Sequence, residues 1–362
     1  MNPGPTRLAT PLPAQTRIIR VLVVDDSVVI RRLVTEALSE DPSIEVVGSA
    51  PNGRIALARI PQVSPDVMTL DVEMPEMDGL ETLRQLRAQF PHVKVIMFST
   101  FTERGAGITL DALSLGAADY VTKPANAGSL DVSLRRLRDD LVPKIRQFLR
   151  PDPAGFASHP RLAPRPTAAP AVTRRRIVAI GTSTGGPNAL ACVFAELPKD
   201  ISTPLVLVQH MPPMFTRLLA ERLEKQSRLK VREARGGEVL EAGVAYVAPG
   251  DYHLTVARNG AKVVTALNQD PPENSCRPAA DVLFRSVAAV YGGEAVVVVL
   301  TGMGQDGLRG AEILKSHGAY VIAQDEPSSV VWGMPGAVVG AGLADEIVPV
   351  EIVARRLVRQ LS

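Results

Sequence analysis

Residues 18–27 read IIRVLVVDDS, an apolar stretch that ends in two consecutive aspartates. A short apolar run bounded by polar residues is typical of a strand buried on both faces of a sheet. The segments that follow alternate in the same way between apolar runs and amphipathic stretches at helical spacing. Further strands are predicted at Ile44–Ser49, Val67–Leu70, Val93–Phe98 and Tyr120–Val121. Alternating strands and helices indicate a parallel sheet that is covered by helices on both faces.

A second block of the same kind follows a segment with the composition of a linker. Residues 150–173 contain six prolines together with many alanines and scattered arginines. Strands are then predicted at Ile177–Ile180, Leu205–Gln209, Val244–Val247, Ala295–Leu300 and near Tyr320–Ala323, with helices after Gly186, Phe215, Asp281 and Gly307. The predicted fold class is α/β, with two doubly wound parallel-sheet domains joined by a Pro/Ala/Arg-rich linker. The expected limits are a flexible tail at 1–17, a first domain at 18–140, a linker at 141–173 and a second domain at 174–362.

The overall composition excludes several classes of protein. The 40 basic and 38 acidic residues give a net charge of +2, so the chain lacks the excess positive charge of a non-specific nucleic-acid binder. Apolar runs such as Ala295–Leu300 are far shorter than the roughly 20 residues that insertion into a membrane requires. Residues 1–17 lack the apolar core of a secretory signal. The two cysteines, Cys192 and Cys276, predict no disulfide framework and favour a reducing, cytoplasmic location.

Acidic residues directly follow two predicted strands of the first block. Asp25 and Asp26 end the first strand and Asp71 ends the third, so their carboxylates are expected to meet at the carboxyl edge of the sheet. Crowded carboxylates require a cation, and Mg²⁺ suits an all-oxygen site to which the backbone carbonyl of Glu73 could add a ligand. Two further strand ends at this edge carry Ser99 and Lys123. A carboxylate beside a divalent cation, an ammonium group and a hydroxyl is equipped to accept a phosphoryl group.

The first strand of the second block runs into a turn rich in glycine and serine, GTSTGG at residues 181–186. One interpretation is nucleotide binding, but the spacing is not G-x-G-x-x-G and the next strand ends in Gln209-His210 rather than in an acid. The other interpretation is nucleophilic catalysis, because residues 181–185 fit G-x-S-x-G with Ser183 as the nucleophile. Backbone N–H groups around Thr184 and Gly185 would then form the oxyanion hole.

A serine nucleophile needs a base and a carboxylate that orients the base. Of the three histidines in this block, His210 directly follows a strand, as Ser183 does. His317 is explained by the end of a helix, and His253 is expected in a turn away from the strand ends. Asp306 follows another strand and could equally cap the next helix. Ser183, His210 and Asp306 form a candidate triad in the order Ser–His–Asp, which differs from the order in α/β-hydrolases.

The first block resembles the response-regulator receiver domain, which has a flavodoxin-like fold. The matching strings are VDDS at 24–27, LDVEMPEMDGLE at 70–81, ST at 99–100 and DYVTKP at 119–124. The resemblance implies that a histidine kinase phosphorylates Asp71 while Asp25 and Asp26 hold Mg²⁺. The residues that it implies to reorient on phosphorylation, or to contact the phosphoryl group, are Ser99, Tyr120 and Lys123.

The second block resembles the catalytic domain of the chemotaxis protein-glutamate methylesterases, which is Rossmann-like. The matching strings are GTSTGGP at 181–187, QHMPPMFT at 209–216, APGDYHL at 248–254, RPAADVLFRS at 277–286, LTGMGQDGLRGA at 300–311 and VVWGMPGA at 330–337. The resemblance implies Ser183 as nucleophile, His210 as base and Asp306 as orienting acid. It also places Met303 beside the site. Cys276 departs from the family, in which histidine is common at this position.

Together the two resemblances imply a receiver-controlled serine hydrolase of chemotactic adaptation. Its expected substrates are glutamate γ-methyl esters on methyl-accepting chemoreceptors, and the same acyl chemistry would deamidate receptor glutamine. A chemotaxis histidine kinase is the expected phosphodonor, Mg²⁺ is expected in the receiver, and no cofactor is expected at the esterase site. Two alternatives stay open. One is a receiver-controlled hydrolase of another acylated protein in a non-motility signalling array, and the other is a non-enzymatic nucleotide-binding output module.

Overall fold

The computed structural model describes residues 18–100, 102–123, 130–148 and 174–361. The tail expected at 1–17, and residues 149–173 of the expected linker, lie outside the described residues. Both sequence blocks form α/β layers built on parallel sheets, which confirms the predicted fold class. Within the described ranges, no helix combines the length and the apolar character that crossing a membrane requires.

The first domain contains a five-stranded parallel sheet in the order β2-β1-β3-β4-β5. Its strands are β1 (Ile19–Val24), β2 (Ile44–Ala50), β3 (Val67–Asp71), β4 (Lys94–Ser99) and β5 (Asp119–Thr122). Its helices are α1 (Val28–Ser39), α2 (Gly53–Val63), α3 (Gly79–Gln89), α4 (Glu103–Ser114) and α5 (Leu130–Arg146). Apolar residues of α1 and α5 cover one face of the sheet, and those of α2, α3 and α4 cover the other.

Four of these helices begin with a side chain that accepts a hydrogen bond from a backbone N–H group of the first turn. The capping residues are Ser27, Asn52, Asp78 and Thr102. Such caps replace intrahelical acceptors that the first turn lacks. Because each cap follows a strand, the helices begin near the carboxyl edge of the sheet, where the acidic residues lie.

Helix α5 continues beyond the expected end of the first domain. Its Leu137, Leu141 and Ile145 are buried against α1 and the sheet. Residues 141–146, which were expected to begin the linker, therefore belong to the helical layer of this domain. The apolar spacing keeps the helical period through Pro143, a residue that helix interiors tolerate poorly.

The second domain contains a seven-stranded parallel sheet in the order β14-β13-β12-β6-β7-β9-β8. Its strands are β6 (Ile177–Thr182), β7 (Leu205–Gln209), β8 (Lys230–Glu233), β9 (Val244–Val247), β12 (Ala295–Val299), β13 (Tyr320–Gln324) and β14 (Glu346–Val348), and β10 (His253–Asn259) and β11 (Lys262–Asn268) form a separate antiparallel hairpin. Its helices are α6 (Gly186–Glu196), α7 (Phe215–Gln226), α8 (Ala280–Tyr291), α9 (Leu308–Ser316), α10 (Met334–Gly340) and α11 (Val350–Leu361). The hairpin and the two outermost strands, β8 and β14, were not predicted.

The candidate catalytic residues follow three neighbouring strands. Strand β6 lies between β7 and β12. The chain continues from β6 to β7 on one side and later returns to β12 on the other, and ligands of such sheets bind in the crevice at this reversal. Ser183 lies directly after β6, His210 lies directly after β7, and Asp306 lies in the loop after β12.

Candidate active site

The turn that carries Ser183 depends on two glycines. Gly185 has a φ of +78°, a left-handed conformation that side chains disfavour. A Cβ atom on Gly186 would lie 1.9 Å from Oε1 of Gln209. The Gln209 side chain occupies that space and donates from Nε2 to the carbonyl of Ser183 at 2.9 Å. The sharp turn that exposes Ser183 therefore needs glycine at both positions. Gly185 adopts a left-handed backbone conformation, and Gly186 leaves room for the side chain of Gln209.

The same turn provides candidate oxyanion donors. The carbonyl of Ser183 accepts from the N–H group of Gly186 at 2.8 Å, which closes the turn. Within the described part of the chain, the N–H groups of Thr184 and Gly185 are bonded to no acceptor. They lie at the beginning of α6, where the helix dipole favours negative charge. This is the arrangement expected of an oxyanion hole.

His210 and Asp306 form a hydrogen-bonded pair. Nε2 of His210 lies 2.7 Å from Oδ2 of Asp306. The Asp306 side chain is almost fully buried, whereas the His210 side chain keeps 12% of its surface exposed. Burial opposes a charge on the ring, but the hydrogen bond with Asp306 and the negative charge of its carboxylate outweigh burial and raise the pKa of His210. Burial also raises the pKa of Asp306, whereas its bonds from His210 and from backbone N–H groups outweigh that effect and lower it. Both shifts favour an ionised Asp306 beside His210.

Asp306 does not cap the helix that follows it, because Gly307 is the cap residue of α9. Its two oxygens instead accept from the N–H groups of Ala280 and Asp281, at 2.6 and 3.0 Å, in the first turn of α8. Oδ1 also accepts from the amide of Asn274 at 2.9 Å. These donors fix the carboxylate before His210 binds to it, which is what an orienting acid requires.

Ser183, His210 and Asp306 line one cavity of about 220 Å³, together with Thr184, Gly185 and Met303. Met303 is 39% exposed and lies at the cavity surface. Between the described side chains, no hydrogen bond joins Oγ of Ser183 to His210. The contact at Nδ1 of His210 is instead with Sγ of Cys276, at 3.4 Å. The structure thus brings the three candidate residues together but leaves the nucleophile unpaired with the base.

The first domain closes part of this cavity. Asp119, Tyr120 and Lys144 of the first domain line it. Oδ2 of Asp119 accepts a hydrogen bond of 2.6 Å from the hydroxyl of Thr184, the residue after the candidate nucleophile. Asp119 is only 6% exposed, and its other oxygen lies 2.9 Å from the ammonium group of Lys144. Sequence reasoning missed Asp119 and Lys144, because nothing local indicates that they face another domain.

Helix α4 packs against α6 and α7 around this contact. Tyr120 stacks on Phe215 with ring centroids 4.6 Å apart and an angle of 13° between the planes. The amide of Asn188 donates to the carbonyl of Leu113. Ion pairs at the edge of the interface join Arg217 to Glu103 at 2.6 Å and Arg222 to Asp111 at 2.8 Å. The interface therefore has an aromatic centre and a polar, exposed rim.

The acidic residues predicted in the first domain also meet. Carboxylate oxygens of Asp25, Asp26 and Asp71 lie within 4.8 Å of one another. Nζ of Lys123 lies 2.8 Å from both Asp25 and Asp71. Burial raises the pKa of Asp71 to about 6, although Lys123 opposes the rise. Glu73 lines the cavity beside them, and its N–H group donates to Asp71 at 3.4 Å. Three hard oxygen donors around one point fit a divalent cation such as Mg²⁺.

The two residues that are predicted to reorient on phosphorylation, Ser99 and Tyr120, lie in different surroundings. Ser99 is fully buried, accepts from the hydroxyl of Thr109 at 2.6 Å, and donates to the carbonyl of Gly105 at 3.2 Å. Its hydroxyl thus faces the start of α4 rather than the acidic cluster, whose cavity is lined by the neighbouring Thr100. Tyr120 lies in the domain interface. Ser99 therefore contacts α4, the receiver helix that packs on the second domain. Tyr120 contacts Phe215, the first residue of α7 in the second domain.

The other two histidines of the second domain are partnered elsewhere. His317 caps the end of α9 and bonds through Nδ1 to the carbonyl of Ile313 at 2.8 Å. His253 was expected in a turn, but it begins β10 and is fully buried. Its ring lies between the N–H group of Ala279 and the carbonyl of Pro271. Neither histidine lines the cavity that contains Ser183.

Both domains match families of known proteins. The model of the CheB methylesterase family matches residues 178–357, and that of the response regulator receiver domain matches residues 21–135. A protein-glutamate methylesterase/protein-glutamine glutaminase of Trichodesmium erythraeum is 52% identical over 350 residues, which cover 95% of this chain and 99% of that protein. A protein of the same name from a Nocardioides species is 51% identical and covers 95% of this chain and 96% of its own length. The crystal structure of the Thermotoga maritima CheB methylesterase catalytic domain has a TM-score of 0.50 and 43% identity, and covers 51% of this chain and 97% of that one. The chain therefore belongs to the CheB methylesterase family, with a response-regulator receiver domain preceding the catalytic domain.

Proposed function

We propose that this protein is a phosphorylation-activated serine hydrolase that demethylates glutamate γ-methyl esters on chemoreceptors during chemotactic adaptation. The main support is one cavity, in which Ser183, His210 and Asp306 meet and whose wall is completed by receiver residues. The relatives named above are protein-glutamate methylesterases/protein-glutamine glutaminases. The cytoplasm is the proposed location, since the esters lie on the cytoplasmic helices of receptors.

In this mechanism His210 accepts the proton of Ser183 as Oγ attacks the ester carbonyl. The N–H groups of Thr184 and Gly185 hold the resulting oxyanion. When the intermediate collapses, His210 returns the proton to the departing methoxide and methanol leaves. Water then attacks the acyl-enzyme with His210 again as the base, which releases the glutamate carboxylate and restores Ser183.

The same residues would deamidate receptor glutamine. An amide carbonyl attacked by Ser183 gives a tetrahedral intermediate of the same shape and charge, held by the same N–H groups. His210 would then protonate the departing nitrogen, so that ammonia leaves in place of methanol. Hydrolysis of the acyl-enzyme yields glutamate in both reactions, and one set of catalytic residues serves both.

The receiver domain would control access to this site. A chemotaxis histidine kinase would phosphorylate Asp71, and Lys123 would contact the phosphoryl oxygens. The ligands proposed for Mg²⁺ are Asp25, Asp26, Asp71 and the backbone carbonyl of Glu73. When bound there, the cation would offset the negative charge of the phosphoryl group.

The arrangement described above corresponds to a closed state, because the receiver forms part of the cavity wall and Asp119 holds Thr184. Phosphorylation would shift the population toward an open state in which the receptor reaches Ser183. Reorientation of Ser99 and Tyr120 is the proposed link. A change at Tyr120 would disturb its stacking on Phe215, and a change at Ser99 would disturb the start of α4, which packs on the catalytic domain.

The proposed domain limits follow from the packing of α5. We place the end of the receiver after α5, which ends at Arg146, and the start of the catalytic domain at residue 174. The intervening residues would tether the two domains. Because α5 contributes to the receiver core, a receiver truncated at residue 140 should unfold more readily than one that includes Arg146.

The test is methanol release from receptor membranes that carry labelled methyl esters. Wild-type protein and Ser183→Ala are compared with and without acetyl phosphate and Mg²⁺. We expect release that requires Ser183 and rises with the phosphodonor. Release that depends on Ser183 but ignores the phosphodonor would refute the control by the receiver. No release from the wild type under either condition would refute the proposed substrate.

A further inference from the structure

A tight turn at residues 273–276 places a side chain without an assigned role in the active site. Glu273 and Cys276 exchange two backbone hydrogen bonds, of 3.1 and 2.9 Å. Between them, Asn274 and Ser275 have φ values of +52° and +62°. Two consecutive residues with positive φ between bonded partners define a type I′ turn, for which asparagine is favoured. The turn fixes the direction in which the Cys276 side chain leaves the backbone.

The turn is held to the protein at two further points. Both carboxylate oxygens of Glu273 accept from the guanidinium group of Arg285 on α8, at 2.7 and 2.5 Å. The amide of Asn274 donates to Asp306 at 2.9 Å and to Asp281 at 3.0 Å. A paired, two-bond contact of this kind restricts orientation as well as distance. The turn is thus fixed to the same helix whose first turn holds Asp306.

The turn lies within a loop at residues 271–279, and the buried His253 bonds to both ends of this loop. Its Nε2 lies 3.2 Å from the carbonyl of Pro271, before the turn. Its Nδ1 lies 3.3 Å from the N–H group of Ala279, after the turn. The loop is therefore closed at its base as well as at its tip, which leaves Cys276 little freedom to move relative to the catalytic residues.

The protonation of His210 follows from its partners. Ionised Asp306 can only accept hydrogen bonds, so the hydrogen of the 2.7 Å bond must be on Nε2 of His210. In a neutral ring, Nδ1 is then the atom that must accept the proton of Ser183. Among the described residues, the group within hydrogen-bond distance of Nδ1 is the thiol of Cys276, at 3.4 Å. The thiol can donate to this lone pair.

We propose that Cys276 is a positioning residue for the catalytic base, a role that rests on the proposed esterase function. Only one ring nitrogen of His210, Nε2, is bonded to Asp306. This single hydrogen bond does not prevent the ring from rotating about it. The thiol on Nδ1 holds the ring in the plane that faces the cavity. Because a thiol is a weak donor, the hydroxyl of Ser183 displaces it when an ester enters.

The first measurement compares Cys276→Ala with Cys192→Ala in the full-length protein activated by acetyl phosphate and Mg²⁺. Cys192 lies on α6 and does not line the cavity that contains His210, so it is a matched control. We expect kcat for methanol release to fall about three- to tenfold in Cys276→Ala, the range of a net hydrogen bond, with KM unchanged. Cys192→Ala should match the wild type. A kcat of Cys276→Ala within twofold of the wild type, or above it, would overturn the proposal.

The second measurement observes the base directly and needs no substrate. Nitrogen-15 labelling of the five histidines gives an NMR signal for each ring nitrogen, and His210→Gln identifies the signals of His210. At a pH above the raised pKa of His210, where the ring is neutral, we expect the Nδ1 signal in Cys276→Ala to move toward the value of a free, unprotonated nitrogen. The signal should stay unchanged in Cys192→Ala. An unmoved Nδ1 signal in Cys276→Ala overturns the proposal, even if kcat falls, because the loss would then be structural.

These outcomes separate the two proposals. If the wild type releases no methanol while Nδ1 responds to Cys276→Ala, the substrate is wrong and the positioning contact stands. If the wild type is active through Ser183 and Nδ1 does not respond, the proposed function stands and the role of Cys276 is refuted. Thermal unfolding of Cys276→Ala, compared with that of Cys192→Ala, shows whether loss of packing accounts for any change in kcat.

Discussion

The contact between Asp119 and Thr184 makes a quantitative prediction about the closed state. Asp119→Ala removes a hydrogen bond of 2.6 Å between a buried carboxylate and a hydroxyl in the other domain. A hydrogen bond to a charged group contributes about 1.5–3 kcal/mol. Since every 1.4 kcal/mol is tenfold, the ratio of closed to open protein should fall about 10- to 150-fold. Lys144 keeps the carbonyl of Tyr120 as a partner, so the receiver should remain folded.

The expected change in rate depends on how much open protein exists before the substitution. If the open state is about 1% of the wild type, Asp119→Ala should be open about 10–60% of the time. Methanol release without a phosphodonor should rise by the same factor as the open fraction, and acetyl phosphate should then add no more than about two- to tenfold. Labelling of Asp71 by the phosphodonor checks that the variant still has a functional receiver.

Asp111→Asn is the matched control, because it removes an ion pair with Arg222 in the same interface. Asp111 is 58% exposed, and an exposed pair contributes at most about 1 kcal/mol, so the basal rate should rise less than about fivefold. The reasoning fails if acetyl phosphate activates the wild type at least about tenfold and Asp119→Ala stays within twofold of the wild-type basal rate. An equal rise in the basal rate of both variants would show that the contact with Thr184 stabilises the closed state no more than an exposed ion pair does.

Three further predictions concern the base, the receiver and the nucleophile turn. Activity requires a neutral His210, whose pKa is raised above 6.5, so activity should be lost as pH falls through a value above 6.5. Asp306→Asn should move this acid limb of the kcat–pH profile to lower pH and lower kcat about 10²–10⁴-fold; an unmoved limb would contradict the pairing. Asp71→Asn should abolish activation by acetyl phosphate and keep the basal rate of methanol release. Gly186→Ala should lower the free energy of unfolding in urea by about 1–3 kcal/mol, because its Cβ meets Gln209, whereas Gly340→Ala, where a Cβ meets nothing, should change it much less.

Much of the fold could be predicted because buried parallel strands are continuous apolar runs. All five strands of the receiver and the five inner strands predicted in the catalytic domain are present. The hairpin β10–β11 was missed because its strands mix polar and apolar residues and lie outside the main sheet. Its first residue, His253, is buried by the loop and by α8, and neither contact is visible locally in the sequence.

Of the candidate site, the sequence predicted the residues that directly follow strands, but not the contacts they make with distant segments. Ser183, His210 and Asp306 follow three strands that proved to be neighbours, so the topology brought them together. The partners of Asp306 could not be predicted, because the N–H groups of α8 reach it from 25 or more residues away. Asp119 was likewise hidden, since its role depends on how the two domains pack.

Asp306 links the chemistry of the site to the stability of the domain. Its carboxylate closes the first turn of α8, and α8 packs against α9, β6 and the hairpin in the core. Core elements of this kind open only when the whole domain unfolds, whereas loops open locally at much lower cost. Asp306, the proposed orienting acid, should therefore keep its place at temperatures at which the domain interface already opens. On heating, the domains would first separate and expose the active site, and only at higher temperature would the catalytic domain unfold and release His210 and Asp306. Basal activity should therefore pass through a maximum below the melting temperature.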